Sequence, residues 1–143
     1  MTQSNNPGIF IEQIVLIRSV VEMLNPQGKP EYDLRLTRIA REFANENKNL
    51  VMTFSFSLMG EIKAPLFRLL CDFGVFYKRV DDATMTWDEF SDATALAHVI
   101  PYLREFISNM TNRLPVQPLI LPPINTNVMV SEYQKTLTPV ETT

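Results

Sequence analysis

"LVMTFSFSLM", residues 50–59, carries the cleanest alternation in this chain. Leu50, Met52, Phe54, Phe56 and Leu58 fall on one side of a strand of period two, opposite Val51, Thr53, Ser55 and Ser57. Five large apolar side chains on one face demand a cover, so a sheet with one packed face is the first expectation. Met52, Phe54 and Phe56, with Phe67 and Phe73 further on, suit either an ordinary sheet core or the lining of a ligand pocket, and periodicity alone leaves both open.

The neighbouring stretches extend the sheet. Upstream, "EYDLRLTRIA" (31–40) sets Tyr32, Leu34 and Leu36 against Asp33, Arg35 and Thr37, a half-buried strand, and "REFANENKN" after it reads as a polar connection. "IFIEQIVLIRSVVEM" (9–23) is rich in β-branched residues and predicts a long first strand, closed by turn chemistry in "NPQGKP" (25–30). Downstream, "PLFRLLCDFGVFYKRV" (65–80) lines Phe67, Leu69, Cys71, Phe73, Val75 and Tyr77 along one face. Leu66, Leu70 and Phe76 make its second face partly apolar as well, which asks for a partner there. Successive strands joined by short turns predict an antiparallel meander.

After residue 85 the period changes. Thr86 and Glu89 form a capping-box pair, with Trp87 at the expected start of a helix. Phe90, Ala93, Leu96, Ile100, Leu103, Ile107, Met110 and Leu114 then recur at helical spacing, with Pro101 inside the run as a predicted kink. Val99 and Phe106 widen the apolar stripe, and with Val15 and Ile17 of the first strand they are the candidates for an oligomer interface. "LPVQPLILPPIN" (114–125) follows, apolar yet punctuated by Pro115, Pro118, Pro122 and Pro123, so neither helix nor central strand. Asn125 is placed to cap a short final helix, "TNVMVSEYQK". The fold class expected is α+β: a four-stranded antiparallel sheet, with a long kinked C-terminal helix and a short final helix packed on one face. The domain spans 9–135, with a flexible N-terminus over 1–8 and a flexible tail over 136–143.

Composition narrows the function. The chain has 143 residues, 45% hydrophobic and 20% charged, with a net charge of -3, which suits one globular domain and disfavours phosphate-driven nucleic-acid binding. A single cysteine, Cys71, allows no internal disulfide, and a single histidine, His98, completes no zinc cluster. "MTQSNNPG" has neither a basic n-region nor an apolar h-region, and no run is long enough to span a bilayer; a cytoplasmic protein without membrane insertion is expected. Asp81, Asp82, Asp88, Glu89 and Asp92 read as a solvated loop and a helix start favoured by the dipole, more than as paired catalytic carboxylates. Four scattered glycines build no phosphate loop. No enzyme, cofactor or metal is expected. What stands out is apolar surface in excess of what one small domain covers, with two outlets: self-association, or a groove for apolar guests.

The run "ALAHVIPYLREFISNMTNRLPVQPLILPPIN" (95–125) resembles the corresponding stretch of the SecB export chaperones, in Pro101, Tyr102, Arg104 and Glu105, then Pro118, Leu119, Leu121, Pro123 and Asn125. The order of four strands, long helix, apolar loop and short helix resembles that family from Ile9 to Tyr133. The resemblance implies a homo-oligomer, a dimer of dimers, acting as a holdase without ATP, and holding unfolded or precursor polypeptides in apolar grooves. Mapped by position, Leu119, Ile120 and Leu121 flank the groove. Phe54 and Phe56 are chosen from their alternation as its floor, with Val128 and Met129 opposite. Family members dock the translocase motor SecA through acidic residues on the exposed sheet; Glu22 matches one such position, while Arg18 and Leu69 stand at or near others. The family's tryptophan between the first two strands is missing from "NPQGKP". Guarding a specific client such as an antitoxin is a variant within the same class. The alternatives are an oligomeric adaptor with one fixed protein partner and, further off, a small-molecule carrier.

Overall fold

The alternation at 50–58 becomes an alternation of burial. Leu50, Met52, Phe54, Phe56 and Leu58 are sealed, while the residues between them are half-buried. The computed structural model describes residues 7–28, 32–59, 63–114 and 119–137. Its elements are β1 (Ile9–Met23), β2 (Leu34–Ala44), β3 (Asn49–Leu58), β4 (Phe67–Arg79), α1 (Asp92–Thr111) and α2 (Thr126–Leu137). The strands form one antiparallel sheet. Phe67, Leu69, Cys71, Phe73, Val75 and Tyr77 of β4 continue the buried face of β3 and join one core cluster with Leu96, Val99, Leu103 and Ile107 of α1. Edge-to-face ring pairs tie helix region and sheet together, Phe73 to Phe106 and Tyr77 to Phe90. The α2 helix meets β2 and α1.

The strand order is β1-β4-β3-β2, which corrects the expected meander. Strands β2, β3 and β4 do run as a meander, but β1 lies beside β4, so the sheet is a Greek key. The turn after β1 therefore leads across the end of the sheet rather than into a hairpin. Leu24 and Asn25 donate their N–H groups to the Leu66 carbonyl at 3.0 and 3.2 Å, tying that turn to the start of β4. The physical reason lies on the outer face. Val20 sits opposite Leu70, and Val15 opposite Gly74, so the outer-face apolar side chains of the two strands are cross-strand neighbours. At Gly74 the approach is close: a Cβ there would stand 2.7 Å from Ile17 Cδ1.

Four boundaries also move. The β2 strand continues to Ala44, through residues that read as a polar connection. Arg41 hides the pattern: it sits opposite Met52 on the inner side and is held there by Asp92 Oδ1 at 2.7 Å and the Phe90 carbonyl at 2.6 Å. The Thr86–Glu89 box does form, with Thr86 N–H donating to Glu89 Oε1 at 3.1 Å. It closes only a turn, and α1 starts five residues later than Trp87, at Asp92, with the Ser91 hydroxyl accepting from Thr94 N–H at 3.1 Å. At the chain's start, Pro7 and Gly8 are engaged rather than frayed, since their carbonyls accept from Thr84, Met85 and Val80. At the other end, α2 includes Thr136 and Leu137, which the expected tail had claimed; residues 1–6 and 138–143 lie outside the described residues.

Asn125 caps α2 as expected, its Oδ1 accepting from Val128 N–H at 3.2 Å. Helix α1 runs through Pro101, whose position and that of Ala97 are both exposed, so the carbonyl that proline leaves unpaired faces water.

Candidate functional site

The stretch after α1 is shaped by two side chains of that helix. Thr111, fully buried, donates its hydroxyl to the Ile107 carbonyl at 2.8 Å and accepts from Leu119 N–H at 2.8 Å. Two turns back, Arg104 donates to the carbonyls of Leu121 and Pro122. Between the pins, Leu121 turns into the core at 6% exposure while Ile120 points outward at 80%. Leu119 is half-buried against the core. Pro115 and Pro118, named as punctuation of this loop, lie outside the described residues.

Beyond the loop, α2 crosses β2 and leaves a depression on either side. One, about 260 Å³, is lined by Leu34, Leu36, Met129, Glu132, Tyr133 and Thr136, among others. The other, about 480 Å³ and more polar, lies between Arg41, Trp87 and Asp92 on one wall and Asn127, Val130 and Gln134 on the other. The two depressions, one on each side of α2, follow the same edge strand, and together they are called the trough. Its far end is held by the Arg41–Asp92 pair and by Trp87, whose indole N–H donates to the Asn47 carbonyl at 2.5 Å.

The predicted site residues divide. Met129 lines the trough, and Val128 beside it is exposed. Phe54 and Phe56 are sealed in the core at 0% and 1%, so they do not floor an open groove in this conformation. Alternation finds the inner face of a strand; it does not say whether a helix already lies on it. Leu34 and Leu36, from the strand next along, line the depression beside Met129 and Tyr133. Among the interface candidates, Ile17 is open at 53% and Val15 half-buried, both on or beside the outer sheet face. Val99 is fully buried toward the sheet, one turn from Leu96 and Leu103, so it is core and not interface. Phe106 is half-buried on Phe73. Glu22 pairs with Arg68 opposite it on β4, which offsets its charge, and Leu69 is buried.

A separate pocket of about 350 Å³ opens between β1 and the start of α1. Ile9, Phe10, Ile11, Met85 and Phe90 wall it, with Tyr77 and His98 inside. Tyr77 Oη and His98 Nδ1 are 2.8 Å apart, and burial lowers the imidazole pKa and raises that of the phenol. No sequence motif announces this pocket, since its walls come from three segments far apart in the chain. Cys71 is buried and its thiol pushed up to about 12, first by desolvation and then by Asp72, which makes it an inert core residue. Among the described residues no cluster of His, Cys, Asp and Glu is placed to hold a metal, and no helix is long and apolar enough to cross a membrane.

Comparison with known proteins bears on the fold. The Mycobacterium tuberculosis SecB-like chaperone Rv1957, solved in complex with a ChAD peptide from the Rv1956 HigA1 antitoxin, superposes with a TM-score of 0.66 at 22% identity, covering 81% of this chain and 90% of that one. A protein of unknown function from Streptococcus agalactiae matches with a TM-score of 0.50 at 14% identity, over 80% of this chain and 97% of that one. The chain thus has the fold of a SecB-like chaperone, built on a four-stranded antiparallel sheet and two helices. In sequence, the uncharacterized protein MJ0357 of Methanocaldococcus jannaschii is 30% identical over 60 residues, which is 42% of this chain and 39% of that protein, so the match spans well under half of either. No family model matches the chain.

Proposed function

We propose that this protein is a divergent SecB-like holdase, which binds unfolded polypeptides without ATP and keeps them from aggregating. The observation that carries the reading is the shared fold with a SecB-like chaperone that was solved holding an antitoxin peptide. Guarding one dedicated client such as an antitoxin is favoured over general export: Glu22, the residue matched to a SecA contact, is already paired with Arg68, and Arg18 stands opposite Asp72. The domain of 9–135 assembles as a dimer of dimers in the cytoplasm, with both helices backing one face of each sheet and Pro101 bending the first. Clients lie in the trough between β2 and α2, beside Ile120, Val128 and Met129.

The chemistry suits such guests. Met129 and Tyr133 offer a polarizable, adaptable wall over Leu34 and Leu36, which binds by burial and not by sequence readout. Light scattering by a chemically unfolded client tests this: the protein suppresses it at stoichiometric amounts with no nucleotide present, and Met129→Asp with Tyr133→Asp removes the effect at unchanged native mass. Unchanged scattering across several clients would refute the holdase. A single stoichiometric partner recovered from a lysate, with no effect on scattering, would favour the adaptor.

A further inference from the structure

Strand β2 is an edge. It pairs with β3 only, and the seven residues from Arg38 to Ala44 run opposite Ser55 to Asn49 in unbroken register. Along an edge strand alternate N–H and C=O groups point away from the sheet. Among the described residues, no loop or turn backbone bond engages any residue of Arg38–Ala44. The register breaks just before this stretch, between Leu36 and Arg38, where Thr37 is extra and its hydroxyl donates to the Ser55 carbonyl at 3.1 Å. The trough beneath α2 follows the same strand, with Leu34 and Leu36 on one side of that bulge and Arg41 on the other.

We infer that a client binds here as an added β-strand, hydrogen-bonded to the open edge of Arg38–Ala44. This deepens the holdase reading and rests on it. Seven paired residues span about 23 Å, a full client strand. The side chains flanking that strand set its chemistry. On the helix side lie Ile39, Arg41 and Phe43, whose partners Phe54, Met52 and Leu50 are core residues; on the other side lie Arg38, Ala40 and Glu42. The added strand therefore alternates, apolar toward α2 and polar away from it, and where it reaches Thr37 the bulge ends the pairing. From there the chain passes onto Leu34 and Leu36 beneath Met129 and Tyr133. Backbone bonding sets the pattern of the client and not its exact sequence: the ladder reads no side chain, and the trough asks only for apolar alternation.

The test uses the full chain and a fluorescein-labelled nine-residue peptide in which valine alternates with serine and glutamate. Two further peptides carry N-methyl groups on alternate residues, one in each phase. Strand addition requires that one phase, whose methyls fall on the bonded side, loses affinity about tenfold or more, while the other changes less than about threefold. Equal binding by both phases, or equal loss, overturns the inference but leaves the holdase standing if Tyr133→Asp still abolishes binding of the unmodified peptide. No binding by the unmodified peptide overturns the inference, and only unchanged scattering across several clients overturns the holdase with it. Phase-dependent binding that survives Tyr133→Asp but is lost with Ile11→Asp places the strand on β1, and overturns the assignment to β2.

Discussion

The two edges of the sheet, β1 and β2, are built differently. Strand β1 is 15 residues long, and its exposed apolar residues, Phe10, Ile11, Leu16 and Ile17, are spread over much of its length. Strand β2 is 11 residues long, and the trough under α2 runs beside it. An apolar strip left open suits a large, flat, permanent partner, such as a second copy of the chain. A narrow trough with mixed lining beside a bulged edge suits guests that come and go. In the reading proposed above, one edge of the sheet serves assembly and the other clients, a division that variants can test.

The largest effect is expected at Phe54, paired with Ile39 of β2. As sealed core, Phe54→Ala costs about 3–5 kcal/mol of stability in a urea titration; as an open groove floor it would instead spare stability and weaken client binding. Next is Ile17→Asp on β1, which leaves the fold intact and moves the native mass to a smaller species, while suppression of client aggregation per chain is kept. Loss of suppression with the mass unchanged would reverse the two assignments. Arg41→Ala opens the far end of the trough. Because Arg41 and Asp92 are each about a quarter exposed (26% and 27%), the loss in a urea titration is about 1–2 kcal/mol, less than for a fully buried pair.

The smallest effect is a pH dependence from the pocket at the β1 edge. Burial lowers the His98 pKa in the folded chain, so the unfolded chain binds the proton more readily. The stability this contributes is full above the ordinary histidine pKa of 6.5 and is lost as pH falls through the lower folded value. Since His98 is the one histidine, the difference between wild type and His98→Gln in urea titrations at pH 7.5 and 5.5 isolates it. Equal pH slopes would mean that the imidazole is not desolvated.

What the sequence made legible follows from what each pattern encodes. Period two at Leu50–Leu58 and helical spacing from Ala93 to Ile107 are local, and both hold in the fold. The neighbour of β1 is not legible, because alternation within a strand marks its two faces and not the strand that bonds to its edge. Arg41 broke the alternation of β2, since its charge is balanced by Asp92, 51 residues away. The box at Thr86–Glu89 makes its hydrogen bonds but does not start the helix, because Ser91 provides a second cap immediately after it. The trough was half legible. Met129 lines it, whereas Phe54 and Phe56 share the inner-face pattern of Leu34 and Leu36 and differ from them only in lying deeper under the cover.

The grip of α1 on the loop has a consequence for how such a protein changes over generations. Thr111 holds the N–H of Leu119, and Arg104 holds the carbonyls of Leu121 and Pro122; none of these three bonds touches a loop side chain. The course of this part of the loop is therefore set by the helix, and an outward residue such as Ile120 can be exchanged without moving the backbone that carries it. Under the proposed reading, guest preference is free to drift at that position while the frame stays fixed, so lineages sharing this architecture can diverge in what they hold long before they diverge in shape.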